Sequence, residues 1–135
     1  MSWHCARLYN VGLYHVRQHF FAEKTFLRYE KNAPHCYENE NYPLLLTDIG
    51  QQILRKVDHN FKSFFGLLKA KKNNGYESRV HLPKYKPKDG YGIVIMAGRS
   101  ARIKNGWVYM GFSKGFKECY QPQIKELRFK LPSHI

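Results

Sequence analysis

Carboxylates are scarce in this chain. It carries 10 Asp and Glu against 23 Lys and Arg in 135 residues, a formal charge of +13. The acids are scattered, with no DxD, ExxH or HExxH pattern. Two-metal nuclease chemistry needs several carboxylates brought close together, and none are grouped here. Cysteine is equally thin. Cys5, Cys36 and Cys119 are odd in number and far apart, with no CxxC pair. A disulfide framework is therefore excluded, and reduced thiols in a cytoplasmic setting are expected. His4-Cys5 and His35-Cys36 are adjacent pairs. Neighbouring side chains rarely converge on one ion, so these read as packing or surface residues rather than a zinc site. Nothing marks one Cys and one His as a nucleophile and its base. No Gly-rich phosphate loop follows a strand. No apolar run approaches the roughly 20 residues that span a bilayer. The N-terminal MSWHCARLYN lacks the apolar core of a signal peptide. No catalytic residue, cofactor, metal or membrane is implied.

What is present is apolar bulk and positive charge. At 43% hydrophobic and 16% aromatic residues, the chain can build a modest core in one domain or two small subdomains. The charge is concentrated. From Leu54 to Lys104 there are thirteen basic residues and three acids, Asp58, Glu77 and Asp89. A one-sided field of that kind attracts polyanions, of which nucleic acid is the commonest in a cell.

Periodicity places that charge on elements. Thr47 to Lys72 reads as one helix, with Ile49, Ile53, Val57, Phe61, Phe64 and Leu68 along one side. Thr47 or Asp48 is suited to cap its start. Arg55, Lys62 and Lys69 nearly superpose on another side, joined by Lys56, while Lys71 and Lys72 sit at the end where cations suit the helix dipole. Trp3 to about Lys31 reads as an earlier helix, with Cys5, Tyr9, Leu13, Val16, Phe20 and Leu27 on one face. Gly12 weakens that helix by about 1 kcal/mol relative to Ala, and its small size suits close approach by a neighbour. Asn32 to Pro43 is polar, holds two prolines and reads as the connector between two antiparallel helices.

After Asn73-Asn74-Gly75 the pattern turns to short extended runs. Arg79–Leu82 is extended, Asp89-Gly90 makes a turn, and Tyr91–Met96 reads as a strand. Ala101–Lys104 and Trp107–Met110 flank Asn105-Gly106, a type I′ hairpin signal. Gly111–Tyr120 reads as a loop with a helical turn. Lys125–Leu131 alternates as a half-buried strand with a basic outer face. The expected class is α+β: an antiparallel helical hairpin or bundle over residues 1–72, then a small, incomplete antiparallel β-barrel-like sheet over residues 73–135.

The binding candidates follow from charge and rings together. Lys84, Tyr85, Lys86, Lys88 and Tyr91 put cations and aromatic rings on an extended, proline-stiffened segment. Cations neutralise phosphates and rings stack on unpaired bases. The competing reading is a solvated basic loop. Arg102 and Lys104 lie on an exposed hairpin face, where Lys also protects a sheet edge from aggregation.

Several phrases in order, LYNVGLYHVRQHFF, ENYPLL, IGQQILRKVDHNFKSFFGLLK, LPKYKPKDGY, ARIKNGWVYMGFSKGFKE and IKELRFKLPSHI, resemble the N-terminal part of the OrfB/TnpB family. These insertion-sequence proteins, long labelled transposases, are RNA-guided DNA endonucleases related to type V CRISPR effectors. The resemblance implies recognition-lobe helices and part of a wedge barrel, both holding guide RNA and its duplex with DNA in a prokaryote-like, nucleoid-associated setting. It implies that Gln52, Arg55, Lys56 and Lys62, with the LPKYKPKDG segment, face nucleic acid. Lys69, Lys71, Lys72, Arg102 and Lys104 join them on the charge argument. The family's first strand, catalytic carboxylates and four-Cys zinc site have no counterpart in this chain. It is expected to be a non-catalytic, RNA- and DNA-binding piece of such a nuclease, with the remainder of that polypeptide as a further partner. The alternative is an assembly piece or remnant that docks on a larger protein.

Overall fold

The computed structural model describes residues 1–120 and 126–134. Among these residues, four α-helices, α1 (Ser2–Glu23), α2 (Tyr29–Cys36), α3 (Thr47–Lys72) and α4 (Lys114–Tyr120), accompany a three-stranded antiparallel sheet. Its strands are β1 (Ala101–Lys104), β2 (Trp107–Met110) and β3 (Leu127–Lys130), in the order β1-β2-β3. The chain thus combines helices with a small antiparallel sheet, and the described residues show three strands rather than the four or five expected.

The apolar stripes make the core. Cys5, Leu8, Tyr9, Leu13 and Val16 of α1 bury against Ile49, Ile53, Leu54, Val57, Phe61 and Phe64 of α3. Gly12 permits this approach: a Cβ there would fall 2.8 Å from Leu54 Cδ2 and 3.4 Å from Val57 Cγ2. Leu68, expected on the stripe, is 39% exposed, because α3 outruns α1 at that end. No side chain caps α3. Leu46 holds the cap position, and Asp48 instead accepts the Ala97 N–H at 3.2 Å.

Two expectations for the helical part are corrected. First, α1 stops at Glu23, well short of Lys31. Lys24 adopts a left-handed backbone at φ 57° and returns its N–H to Phe20 O. That conformation costs a non-glycine residue about 1–2 kcal/mol. Leaving the helix here lets Phe26 turn back into the core, where it stacks on Phe61 at 5.8 Å. Second, α1 and α3 run the same way. Tyr9 meets Asn60, while Phe20 meets Phe64 and Phe65. An antiparallel pair needs only a short loop. Here more than twenty residues intervene, and α2, with the segment after it, carries the chain back. Within α2, Asn32 Nδ2 donates to Gly12 O at 3.2 Å, and Asp58 of α3 accepts the Tyr29 N–H at 2.8 Å.

Beyond α3, Asn73, left-handed Asn74 (φ 59°) and Gly75 end the helix as their residue types suggest. Tyr91–Met96, expected as a strand, belongs to none. Val94 and Met96 pack on the helical core, and Gly92 crosses α1 so closely that its N–H reaches Ser2 O at 3.0 Å. The Gly92 N–H and carbonyl are both taken by Ser2, so neither is free for a sheet ladder. The hairpin holds as expected: Asn105 (φ 52°) and Gly106 (φ 77°) both have the positive φ of a type I′ turn. Lys125 lies outside the described residues, and the strand after it is exposed along its whole length rather than half-buried. Phe112 stacks on Phe116 of α4 at 4.7 Å. His4 fastens that helix to α1 through Tyr120 Oη at 2.8 Å, and its other ring nitrogen meets Asn41 Oδ1, in the segment before α3, at 2.9 Å.

Candidate functional site

The segment Pro83–Gly90 forms a strap across α1, held by three side chains that grip its backbone. Asn10 makes a paired contact with Lys86, donating Nδ2–H to its carbonyl at 3.0 Å and accepting its N–H at 2.8 Å. The Arg7 guanidinium donates to the carbonyls of Pro87, Lys88 and Gly90. Arg17 donates to Pro83 O at 3.3 Å. These residues lie three and seven apart on α1, so one helix face presents them together. The strap's own side chains are left to point elsewhere. Tyr85 lies under the Arg17 guanidinium at 4.8 Å, and Lys86 Nζ stands over the Tyr9 ring at 5.0 Å.

Between strap and α3 runs a groove of about 330 Å³, lined by Asn60, Ser63, Leu67, His81, Lys84 and Lys86 over a Tyr9 floor. Asn60 Nδ2 donates to Tyr9 Oη at 2.7 Å, fixing that floor. Burial pushes the Tyr9 hydroxyl above its ordinary pKa, so it stays neutral and able to donate. A smaller hollow next to it brings Lys56 to the same Tyr9 and Lys86. Lys56, Lys84 and Lys86, nominated from separate stretches of sequence, therefore converge. Gln52 is half-buried one turn before Lys56 on α3.

The other nominated residues do not join that groove. Arg55 is about 100° around the helix from Lys56, stacked over Tyr29 at 4.5 Å. Lys62 pairs with Asp58 at 2.8 Å, and that carboxylate also holds the first N–H of α2, so this lysine supports the fold as well as the surface charge. Lys69, Lys71 and Lys72 are exposed at the far end of α3. Lys88 and Tyr91 are exposed, with the Lys88 carbonyl taken by Arg7.

Arg102 and Lys104 occupy a second surface. The ladder pairs Arg102 with Tyr109 and Tyr109 with Arg128, then Lys104 with Trp107 and Trp107 with Lys130. Directly paired residues share a face and alternate residues return to it. One face of the sheet thus carries four cations around two rings. The Arg128 guanidinium lies 5.1 Å from the Trp107 ring centroid. Sequence reading found only Arg102 and Lys104, with a basic outer face for β3. The register needed to add Trp107 and Tyr109 follows from the hairpin turn, but the pairing with β3 does not.

The electrostatics separate the basic residues from ordinary surface lysines. Among the described residues, two ion pairs occur, Lys62–Asp58 and an exposed Lys114–Glu118 pair at 3.9 Å. Of the thirteen basic residues between Leu54 and Lys104, Lys62 alone has a carboxylate partner among the described residues. The buried thiols of Cys5 and Cys36 are both pushed up to about 11 by burial, which leaves them protonated and inert. Among the described residues no three His, Cys, Asp or Glu side chains are grouped to hold a metal, and no helix is long and apolar enough to cross a membrane. Comparison with protein-family models, with curated proteins and with solved structures finds no match to this chain.

Proposed function

We propose that this chain binds nucleic acid without cutting it, as the nucleic-acid-holding part of a TnpB-like RNA-guided nuclease acting in the cytoplasm. Its ligands on this reading are a structured, guide-type RNA and that RNA's duplex with DNA. One observation carries the reading: among the described residues the cations of residues 54–104 stand almost entirely without carboxylates, and Lys84 and Lys86 line one groove with Lys56 in the hollow beside it. Uncompensated like charge raises the energy of the compact state. A polyanion removes that cost and releases its own counterions, so association is favoured most at low salt. The likeness to OrfB/TnpB proteins supplies the particular nucleic acids.

The test is filter binding of a structured RNA hairpin at two salt concentrations. Replacing Lys56 and Lys84 with Gln should weaken binding and lower the salt slope by about 1 for each lysine that neutralises a phosphate. Changing Arg55 and Lys69 to Glu tests the other edge of α3 in the same assay. Unchanged affinity and slope in both variants would rule out the basic surface as the binding site.

A second reading, a non-catalytic assembly piece that docks on a larger protein, is favoured by the reverse face of the sheet. Ile103 is 70% exposed there, with Phe129 at 48% and Leu127 at 46%. Self-association in size-exclusion chromatography, equal with and without RNA, would support it over the first.

A further inference from the structure

We infer that the face of the sheet bearing Trp107 and Tyr109 is a stacking platform for the unpaired bases of a single strand. The inference rests on the nucleic-acid reading for its class of ligand, and it assigns a site separate from the strap groove.

The observation is the register. Arg102, Tyr109 and Arg128 form one row across the three strands, and Lys104, Trp107 and Lys130 form the next. Each row puts an aromatic ring on the central strand and a cation on either side. Strands lie about 4.8 Å apart and alternate residues about 6.8 Å apart, so the rings can serve separate bases while phosphates run along the flanks. All four cations are exposed, and none has a carboxylate partner among the described residues. The Tyr109 ring contacts no other ring or cation among the described residues. The Arg128 guanidinium already lies over Trp107, and a guanidinium plane stacks on a base as a ring does. Glu126 lines the depression beside Arg102 and Tyr109, so one rim is less favourable to phosphate than the others.

The reverse face offers a contrast. It is apolar, with Ile103, Val108 and Phe129 in one row and Ala101, Met110 and Leu127 in the other. A sheet that only needed soluble edges would place its charge on β1 and β3 and leave the central strand indifferent. Here the central strand presents rings on the charged face. A duplex hides its base faces and cannot use those rings, whereas a single strand can.

The experiment uses the full chain with Trp3→Phe, so that Trp107 is the one indole. Titration with oligo(U) should quench its fluorescence saturably, while a duplex of equal length or poly-glutamate should not. Trp107→Ala and Tyr109→Ala should each weaken oligo(U) binding roughly 5- to 150-fold. They should leave the salt slope unchanged, since no cation is lost, and Tyr109→Phe should retain binding. If the alanine variants misfold, the quenching titration on the intact sheet decides. Binding of oligo(U) without quenching, or equal quenching by poly-glutamate, would overturn the platform while leaving the nucleic-acid reading standing. Failure to bind oligo(U) and structured RNA alike at low salt would overturn both.

Discussion

Gly92→Ala is the substitution on which the packing of the strap region depends most directly. A Cβ at that position would fall 2.8 Å from Ala6 N, 3.1 Å from Ala6 Cα and 3.2 Å from the Cys5 carbonyl carbon. These are backbone atoms of α1, so they cannot swing aside as a side-chain tip can. The crossing is also pinned from both sides. The Gly92 N–H donates to Ser2 O at 3.0 Å, and the Ser2 hydroxyl donates back to the Gly92 carbonyl. Admitting a methyl group means lifting the chain off the helix and stretching both bonds. Overpacking costs about 1–3 kcal/mol, and the weakened bonds add about 1 kcal/mol. The expected loss is therefore about 2–4 kcal/mol, a fall in Tm of roughly 6–20 °C for a chain of this size.

Gly66→Ala is the matched control. An added Cβ there meets nothing within 4 Å, on the exposed side of α3. Alanine in a helix interior is better than glycine by about 0.5–1 kcal/mol, so this variant should melt higher than the parent. Differential scanning fluorimetry of both variants reads the pair of signs. Limited trypsin digestion adds the location, since a lifted strap frees the backbone at the exposed Lys84 and Lys88 and speeds cleavage there in Gly92→Ala alone. A Gly92→Ala protein that melts with the parent would refute the close crossing, as would shifts of the same sign in both.

Three further outcomes can be measured elsewhere in the chain. Asn10→Ala removes both bonds to the Lys86 backbone and should cost about 1–3 kcal/mol; RNA affinity should fall with an unchanged salt slope, because no charge is removed. At pH 8 a thiol reagent should titrate Cys119 alone in the folded chain and all three cysteines in guanidinium, since Cys5 and Cys36 are buried with pKa values pushed up to about 11. Two fast thiols in the folded chain would show an opened core. His15 is held below its ordinary pKa by burial first and by His35 second. The unfolded chain then binds more protons below about pH 6.5, so stability is full above that value and falls as the pH drops through it. His15→Gln should lose less Tm than the parent between pH 7.5 and 5.5, and equal losses would show that His15 does not titrate on unfolding.

Legibility in the sequence tracked how local the cause was. The α3 stripe, the stop at Asn73–Gly75 and the Asn105-Gly106 hairpin are set by residues within one or two turns of each other, and periodicity or turn chemistry reveals them. The end of α1 was hidden because its terminator is Lys24 rather than glycine; the interaction that offsets its backbone strain, Phe26 on Phe61, lies across the core. Val94–Met96 has strand composition because it is half-buried against helices, which selects the same Ile and Val as half-burial in a sheet, while Tyr91 and Ile93 are exposed. At the candidate site, Lys56, Lys84 and Lys86 are found by charge, whereas Arg7, Asn10 and Arg17 are given no role by it. The signal was present in Arg7, Asn10 and Arg17, at helical spacing on a side of α1 that the apolar stripe leaves free.

Those clamps also explain how a lysine-rich strap is held without losing its charge. Carboxylates are the usual partners for arginine, and a strap fixed by Asp or Glu would have its lysines neutralised by the fixing groups. This chain is poor in acid, and Arg7 and Arg17 turn to carbonyl oxygens instead. Arg7 turns both terminal nitrogens, and Arg17 one, to carbonyls of the strap backbone, with their guanidinium groups near Trp3 and Tyr85. Their positive charge is thus committed inward, while Lys84 beside them keeps a field with no acid to cancel it. Around the strap the charge is therefore of two kinds. The Arg7 and Arg17 guanidinium groups bind backbone and hold the surface together, and Lys84, without a carboxylate partner among the described residues, gives that surface its attraction for phosphate.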